Sequence, residues 1–393
     1  MNQKMKVKLA MKKNYHSIRI LISESRTLSY KSAGFFLNRI GRAFEQLGVS
    51  VDYFILAEDG SNLQEMEALA NRSYDAILDI NSFLPRLICD DDSPFLAKMQ
   101  GTFYHYIVDH PMHVKPLLEL NTSLQHILCL DQSHAEYVSK VFGEAASVHV
   151  LPLAGSPAAM AQRDNRIEKR KPYIFFPGTF MPLEQYKDHL KSLGNKYAVL
   201  ADTLAERSLA GEYIDTSALA WDKNVPEEAC RYLDKFLRES RRQKILDELI
   251  QHNFPVALCG AHWEYSGYVD CAQEILPPCS YDNMLAKMRE YRMVLNVQPL
   301  FPETPHDRVY NGMRNRAVVL SDSCGQLERE FRHGDDYILY SFATLQQDLD
   351  YLRTIWNEPD LLDAIAGNGY SKVSDSHTWI KWCETFLRIT EMI

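Results

Sequence analysis

The sequence predicts an α/β protein in which parallel sheets are connected by crossover helices, and three observations predict it. Short apolar runs of strand length recur along the chain, separated by stretches with helical spacing. One stretch, Met293–Tyr340, shows the rhythm in full: MVLNVQPLFPETPHDRVYNGMRNRAVVLSDSCGQLEREFRHGDDYILY. Its apolar runs Met293–Val297, Ala317–Leu320 and Tyr337–Tyr340 read as buried strands, with a loop rich in Pro, His and charge after the first and two helical segments between them. Finally, 393 residues is long for one core, so two such sheets in two domains are expected.

Composition narrows the class of partner. At 46% apolar and 24% charged residues the chain is ordinary for a globular protein. Its net charge of -9 argues against nucleic acid or an anionic membrane as the principal partner. The eight cysteines are scattered and form no Cys-x-x-Cys pair, which leaves a zinc ribbon or redox motif unsupported. Reduced thiols in a cytoplasmic protein are expected. Residues 1–14, MNQKMKVKLAMKKN, read as a flexible basic tail, without the apolar stretch of a signal peptide. No run approaches the roughly 20 apolar residues of a membrane span, so any membrane contact would be peripheral.

Taken in order, Ile18–Ser23 is the first apolar run, followed by a polar loop, Glu24–Ser32. Phe35, Phe36, Ile40, Phe44 and Leu47 then recur with helical spacing up to Gly48. Val49–Leu56 completes a strand–helix–strand opening, without a Gly-x-Gly-x-x-Gly fingerprint. Asp75–Ile80, Phe103–Val108, His126–Leu130 and Ser147–Leu151 each read as a buried strand. Six strands fit one complete Rossmann-like domain, assigned to residues 15–165. The stretch after Pro152, LAGSPAAMAQRDNRIEKRKP, suits an interdomain linker.

A second series begins at Tyr173–Phe176, which runs straight into Pro177-Gly178-Thr179. A Gly-Thr at a strand end can turn free N–H groups toward a phosphate, and can equally be an ordinary turn. Residues 182–250 break the alternation and read as a helical insertion. Phe254–Leu258 resumes the sheet and leads into Cys259-Gly260-Ala261-His262-Trp263. Ser280–Met288 is helical; beyond Tyr340 come helices at Thr344–Trp356, Pro359–Ile365 and Trp379–Ile393. The stripe Trp379, Trp382, Phe386 and Ile389 on the last of these reads as core.

In such sheets ligands bind beyond the carboxyl ends of the strands, where Gln298–Arg308 and Ser321–Gly325 fall. Ser321, Asp322 and Ser323 can cradle phosphate or cap the next helix. Asp109, His110 and His113 follow a strand and so face the expected cleft, whereas His105 alternates within it and is expected to pack. Asp90–Asp92 reads as solvated charge, and no metal site stands out.

The motifs Phe-Pro-Gly-Thr at 176–179, Gly-Ala-His-Trp at 260–263, Leu-Asn-Val at 295–297, His306-x-Arg308, Val-Val-Leu-Ser-Asp at 318–322 and His377-Thr-Trp379 together resemble the GT-B glycosyltransferases. Within them the chain is most similar to the spore-maturation (CgeB-like) group. The likeness covers roughly residues 170–385; upstream it rests on topology and on Val108-Asp109-His110-Pro111. The resemblance implies an acceptor domain at 15–165, a nucleotide-sugar domain at 171–375 and a last helix, 376–393, crossing back to the first domain. It implies a metal-independent transfer of sugar, from a UDP-sugar above other donors, to a hydroxyl of a glycan, protein or small molecule, with no separate cofactor. Donor contacts are expected from Gly178, Thr179, His262, Trp263, Glu303, His306, Arg308, Asn311, Ser321 and Asp322. Arg308 and His306, at a helix start, would meet the leaving diphosphate. Asp109 or His110 would take the acceptor's proton. The family's Glu-(x)7-Glu is here Glu303-(x)7-Asn311, so a ribose contact at Asn311 would lack charge assistance. That departure keeps a silent nucleotide-binding module open beside the transferase, as the fold does a sugar-nucleotide epimerase.

Overall fold

In the computed structural model the described residues are 14–26, 34–81, 83–119, 125–143, 146–159, 166–221 and 224–393. Residues 1–13 of the expected tail, 27–33 of the first loop and 160–165 of the linker lie outside them.

The first sheet is built from β1 (Arg19–Ser25), β2 (Ser50–Leu56), β3 (Ser73–Ile80), β4 (Gln100–Ile107), β5 (Gln125–Cys129) and β6 (Ala146–Val150), with α1 (Phe35–Gln46), α2 (Leu63–Ala70), α3 (Lys115–Leu118) and α4 (Gln132–Phe142) between them. Every pair is parallel, in the order β2-β1-β3-β4-β5-β6. Each strand coincides with an apolar run because a parallel sheet is covered on both faces and leaves little room for polar alternation.

The second domain holds β7 (Lys171–Pro177), α5 (Leu183–Leu193), α6 (Asn195–Leu209), α7 (Glu227–Gln251), β8 (Val256–Cys259), β9 (Glu274–Leu276), α8 (Tyr281–Met288), β10 (Tyr291–Asn296), α9 (Asp307–Arg314), β11 (Val318–Ser321), α10 (Gly325–Glu330), β12 (Ile338–Leu339), α11 (Leu345–Ile355) and α12 (Pro359–Ser376), followed by α13 (Trp379–Ile389). Its parallel sheet runs β12-β11-β10-β7-β8-β9. Strand β9 has no counterpart among the expected elements: three half-buried residues make too short a run to stand out. Helix α12 extends past Ile365 through Gly367 and Gly369. A Cβ at Gly369 would lie 2.6 Å from the Asp336 carbonyl oxygen, so its glycine permits that close approach.

The helical insertion is not a free appendage. Leu190, Tyr197, Leu204, Leu233 and Leu237 form a small core of its own, while Ile245, Leu246 and Leu249, farther along α7, pack into the core beneath the second sheet. Helix α7 is thus the crossover from β7 to β8, extended outward by several turns.

Helix α13 packs on the first domain. Trp382 and Phe386 pack edge-on against Phe44, Trp382 Nε1 donates to the Tyr106 hydroxyl at 3.2 Å, and Trp379 Nε1 donates to Ser156 Oγ at 2.8 Å. Each buried aromatic contributes about 1.5–3 kcal/mol. One continuous core therefore runs from Phe44 and Tyr106 through α13 to Phe175 and Tyr291 of the second sheet. Beside it Phe35 stacks on Tyr281 at 4.0 Å and Arg39 pairs with Asp282 at 2.7 Å. One edge of the cleft is closed by packing, and the functional groups gather on the other. Among the described residues no helix is long and apolar enough to cross a membrane.

Candidate active site between the two sheets

The second sheet reverses direction between β7 and β10, matching the 3-2-1-4-5-6 order whose crevice lies at that switch. After β7, the Gly178 N–H donates to the Cys259 carbonyl at 2.9 Å and its carbonyl accepts from Trp263 Nε1 at 2.6 Å. Gly260, at φ 156°, lies so close that a Cβ there would come within 2.0 Å of the Gly178 oxygen. The loops after β7 and β8 are thus one unit. Trp263 is its buried pin, packed against Phe180 and Phe176. Thr179 and His262 are exposed on this unit, the latter in the left-handed region at φ 70°.

After β10 the side chains form a buried polar net. Asn296, paired in register with Ser321, donates to Ser321 Oγ at 2.9 Å and accepts from Arg308 Nη1 at 3.0 Å. Arg308 lies over the Phe176 ring at 5.2 Å, and among the described residues no carboxylate pairs with it. Burial, and then the Arg242 charge, lower its guanidinium to about 10, so it stays cationic near neutrality. His306 caps α9, its Nδ1 lying 3.1 Å from the Arg308 nitrogen and 2.8 Å from Asp307 Oδ1. Burial and the charges of Arg308, Arg242 and Arg238 hold this imidazole well below the usual histidine value, so it is neutral near neutrality. Asp307 beside it is raised by burial to about 6.

Three expected donor contacts lie deeper than the cleft surface. Ser321 is fully buried between Asn296 and the Asp322 carbonyl. Asp322 accepts from the Gln298 N–H at 2.7 Å and pairs with Arg241 at 2.6 Å. Asn311 accepts from the Ser156 N–H at 2.8 Å and donates to the Tyr281 hydroxyl at 3.1 Å and Asp307 Oδ2 at 3.0 Å. Its amide thus fastens the interdomain linker.

Helix α7 supplies a row of cations along the cleft. Arg238 pairs with Asp234 at 2.7 Å and Arg242 with Glu239 at 3.3 Å, each about a quarter exposed. With Arg308 they line one wall, and the charges of all three act on His306.

The first domain meets this wall through the loops after β4 and β5. Asp109 is exposed, and its charge is felt by Lys235 of α7. His110 Nδ1 accepts the Met112 N–H at 3.1 Å, which places its proton on Nε2; burial and then His134 lower it to about 3. Of the two expected bases, His110 can donate at Nε2, and Asp109 is the group able to accept a proton. His113 pairs with Asp234 at 3.1 Å, and Lys115 with Glu227, fastening α7 to the first domain. Burial opposes ionisation of Asp234, but Arg238 and then His113 hold its carboxyl below the usual range. A cavity of about 540 Å³ opens between the domains, with Gln132, Ser133, Glu136, Glu303, Thr304 and Arg329 on its walls. Glu303 pairs there with Arg329, in the last turn of α10, at 2.9 Å. Among the described residues no three His, Cys, Asp or Glu side chains are placed to share a metal ion.

The sequence model of a glycosyl transferase-like family matches residues 238–388, the part that carries Arg238, Arg242, His306 and Arg308. The match takes in β8 to α12 and most of α13. No curated protein matches the chain in sequence. Among solved structures, similarity extends over both sheets. An alpha-glucosyltransferase in complex with UDP-glucose and DNA containing an abasic site is 11% identical, covers 96% of this chain and 100% of its own, and has a TM-score of 0.55. A glycosyltransferase from Rickettsia africae is 10% identical, with 95% and 98% covered and a TM-score of 0.53. A sucrose-phosphate synthase from Thermosynechococcus elongatus is 11% identical, with 95% and 98% covered and a TM-score of 0.51. The fold is GT-B.

Within the second domain the structure brings Gly178, Thr179, His262, His306 and Arg308 to one crevice and leaves Trp263, Ser321, Asp322 and Asn311 as its supports. Sequence reasoning missed Arg238 and Arg242. Their signal was the run Arg238-Glu-Ser-Arg241-Arg242, whose spacing of three and four puts the arginines on one helix face.

Proposed function

We propose that this protein transfers a sugar from a UDP-sugar to an acceptor hydroxyl in the cleft between its two sheets. The observation that carries the reading is Arg308: a buried guanidinium held by the neutral Asn296 and an aromatic face, in direct ion pair with no carboxylate among the described residues, although Asp307 and Asp322 lie close enough for their charges to act on it. Such a cation is preorganised for an anion that arrives from outside. The diphosphate would lie between Arg308, Arg242 and Arg238, beside the neutral His306, so that protein cations take the charge of the leaving group without a metal ion. The similar glucosyltransferase structure, which holds UDP-glucose, supports this donor. Asp109 would accept the proton of the attacking hydroxyl. A glycan, protein or small molecule is the proposed acceptor, since a net charge of -9 disfavours nucleic acid. The likeness of the 260–263 and 318–322 motifs supports membership of the spore-maturation group, and eight cysteines outside any disulfide suit a cytoplasmic enzyme.

One observation favours a second reading. The Asn311 amide is already engaged by Ser156, Tyr281 and Asp307, which leaves the ribose without a partner at that position. A module that binds nucleotide without turnover fits this equally. A panel of nucleotide-sugars separates the two by thermal shift and nucleotide release. Shift with UDP release supports the transferase; shift without release, across a range of acceptors, supports the silent module. No shift with any donor would sink both.

A further inference from the structure

The Sγ atoms of Cys259 and Cys279 lie 3.7 Å apart, in van der Waals contact, and Cys259 Sγ also donates to the Pro277 carbonyl at 3.5 Å. The two thiols come from different segments. Cys259 is the buried last residue of β8, and Cys279 follows β9 in the segment Pro277-Pro278-Cys279-Ser280. Cys279 is half-buried between exposed neighbours, so a small disulfide can reach it from solvent.

From this contact we infer that Cys259 and Cys279 form a reversible disulfide that loosens the donor-binding loops. The oxidant is a small-molecule disulfide such as glutathione disulfide. The Cys279 thiolate attacks one of its sulfurs, forming a mixed disulfide and expelling one glutathione thiolate. The Cys259 thiol then loses its proton and attacks the Cys279 sulfur, closing the protein disulfide and expelling the second glutathione. Two cysteine thiols are oxidised and one disulfide is reduced to two thiols. Closing the bond to its length near 2.05 Å shortens the sulfur separation by roughly 1.7 Å.

Cys259 also holds the crevice. Its carbonyl accepts the Gly178 N–H at 2.9 Å, and Gly260 abuts the Gly178 oxygen. Cys279 lies on the chain that leaves β9, the sheet neighbour of β8, so the bond shifts the β8 end relative to Gly178. The same segment leads through Ser280, the cap of α8, to Tyr281, which bonds Asn311. Oxidation therefore strains both loops that flank the diphosphate position. This consequence rests on the donor site proposed above; the disulfide itself does not.

The test uses the full chain, treated with glutathione disulfide or with reductant. Peptide mass mapping is expected to find a Cys259–Cys279 disulfide, absent in Cys279→Ser and retained in Cys271→Ser. UDP, titrated calorimetrically, is expected to bind about threefold or more weakly to the oxidised protein. Reductant restores the affinity, and Cys279→Ser is insensitive to oxidant. Failure to form the disulfide, or a glutathione adduct on Cys279 that never resolves, overturns the inference. So does equal UDP affinity in both forms. A reduced protein that does not bind UDP counts against the donor reading alone, and the mass map then decides the disulfide.

Discussion

The carboxylate of Asp131 and the backbone nitrogen of Thr304 lie 2.6 Å apart across the interdomain cleft, joining the end of β5 to the loop after β10. The same Oδ2 accepts the Glu303 N–H at 3.0 Å, and Oδ1 caps α4 through the Ser133 N–H at 2.8 Å. One buried side chain thus fixes a helix start and the height of the loop that leads to His306. Asp131→Ala removes a cap worth about 1 kcal/mol and leaves the buried Thr304 N–H without an acceptor, at about 1–3 kcal/mol, while the half-buried Glu303 N–H can turn to water. A loss of about 2–4 kcal/mol is expected in urea unfolding, with Asp131→Asn closer to wild type.

Arg308→Met keeps much of the side-chain volume and removes the buried cation. A charge-assisted contact contributes about 1.5–3 kcal/mol, so UDP affinity is expected to fall about 10- to 100-fold. Thermal unfolding without ligand is expected to change little or to improve, because an unpaired buried charge is removed. Unaltered UDP binding would refute the diphosphate role.

Asp109→Asn separates binding from chemistry. The side chain is exposed on the first domain, so UDP affinity and stability are expected to hold. Sugar transfer is expected to slow by about 10²- to 10⁴-fold, the usual size of a general-base contribution. A transfer rate within a fewfold of wild type would remove Asp109 from the mechanism.

His134 is fully buried, edge-on to Phe301 at 4.4 Å, and neither ring nitrogen has a hydrogen-bond partner. Burial, with a smaller opposing effect from Asp234, holds it down to about 3, while an unfolded histidine titrates near 6.5. Between those values the unfolded chain binds a proton that the folded chain does not. Stability therefore falls as pH drops from about 6.5 toward 3, by about 1.4 kcal/mol per pH unit for one such proton. His105 and His110, both lowered to about 3, act in the same direction. Asp307, raised to about 6, takes up its proton in the folded state first and opposes them. His134→Phe is expected to flatten the acid limb by one proton, as read from urea midpoints between pH 6.5 and 4.5.

Much of the fold was legible because buried parallel strands must be apolar throughout, which marks β1, β4 or β10 without an alignment. Strand β9 escaped because three residues carry too little pattern. At the site, Gly178 and Arg308 were legible from their places at a strand end and a helix start. Arg238 and Arg242 were not, since charges on a long helix look the same in sequence whether they face water or a cleft. Asn311 shows the converse. Its position suggested a ligand, but its amide is fully engaged by groups up to 155 residues away in the chain, which local spacing does not reveal.

The aromatic contacts of α13 impose an order on synthesis. Phe44, Tyr104 and Tyr106 belong to the first domain, yet of the rings that cover them Trp382 leaves the ribosome 276 residues after Tyr106, and Phe386 later still. While more than two hundred residues are still being added, that apolar face has no partner of its own. The nascent chain is therefore a natural client for chaperones, and a premature stop before Trp379 would leave both sheets encoded in full but the first one unsealed.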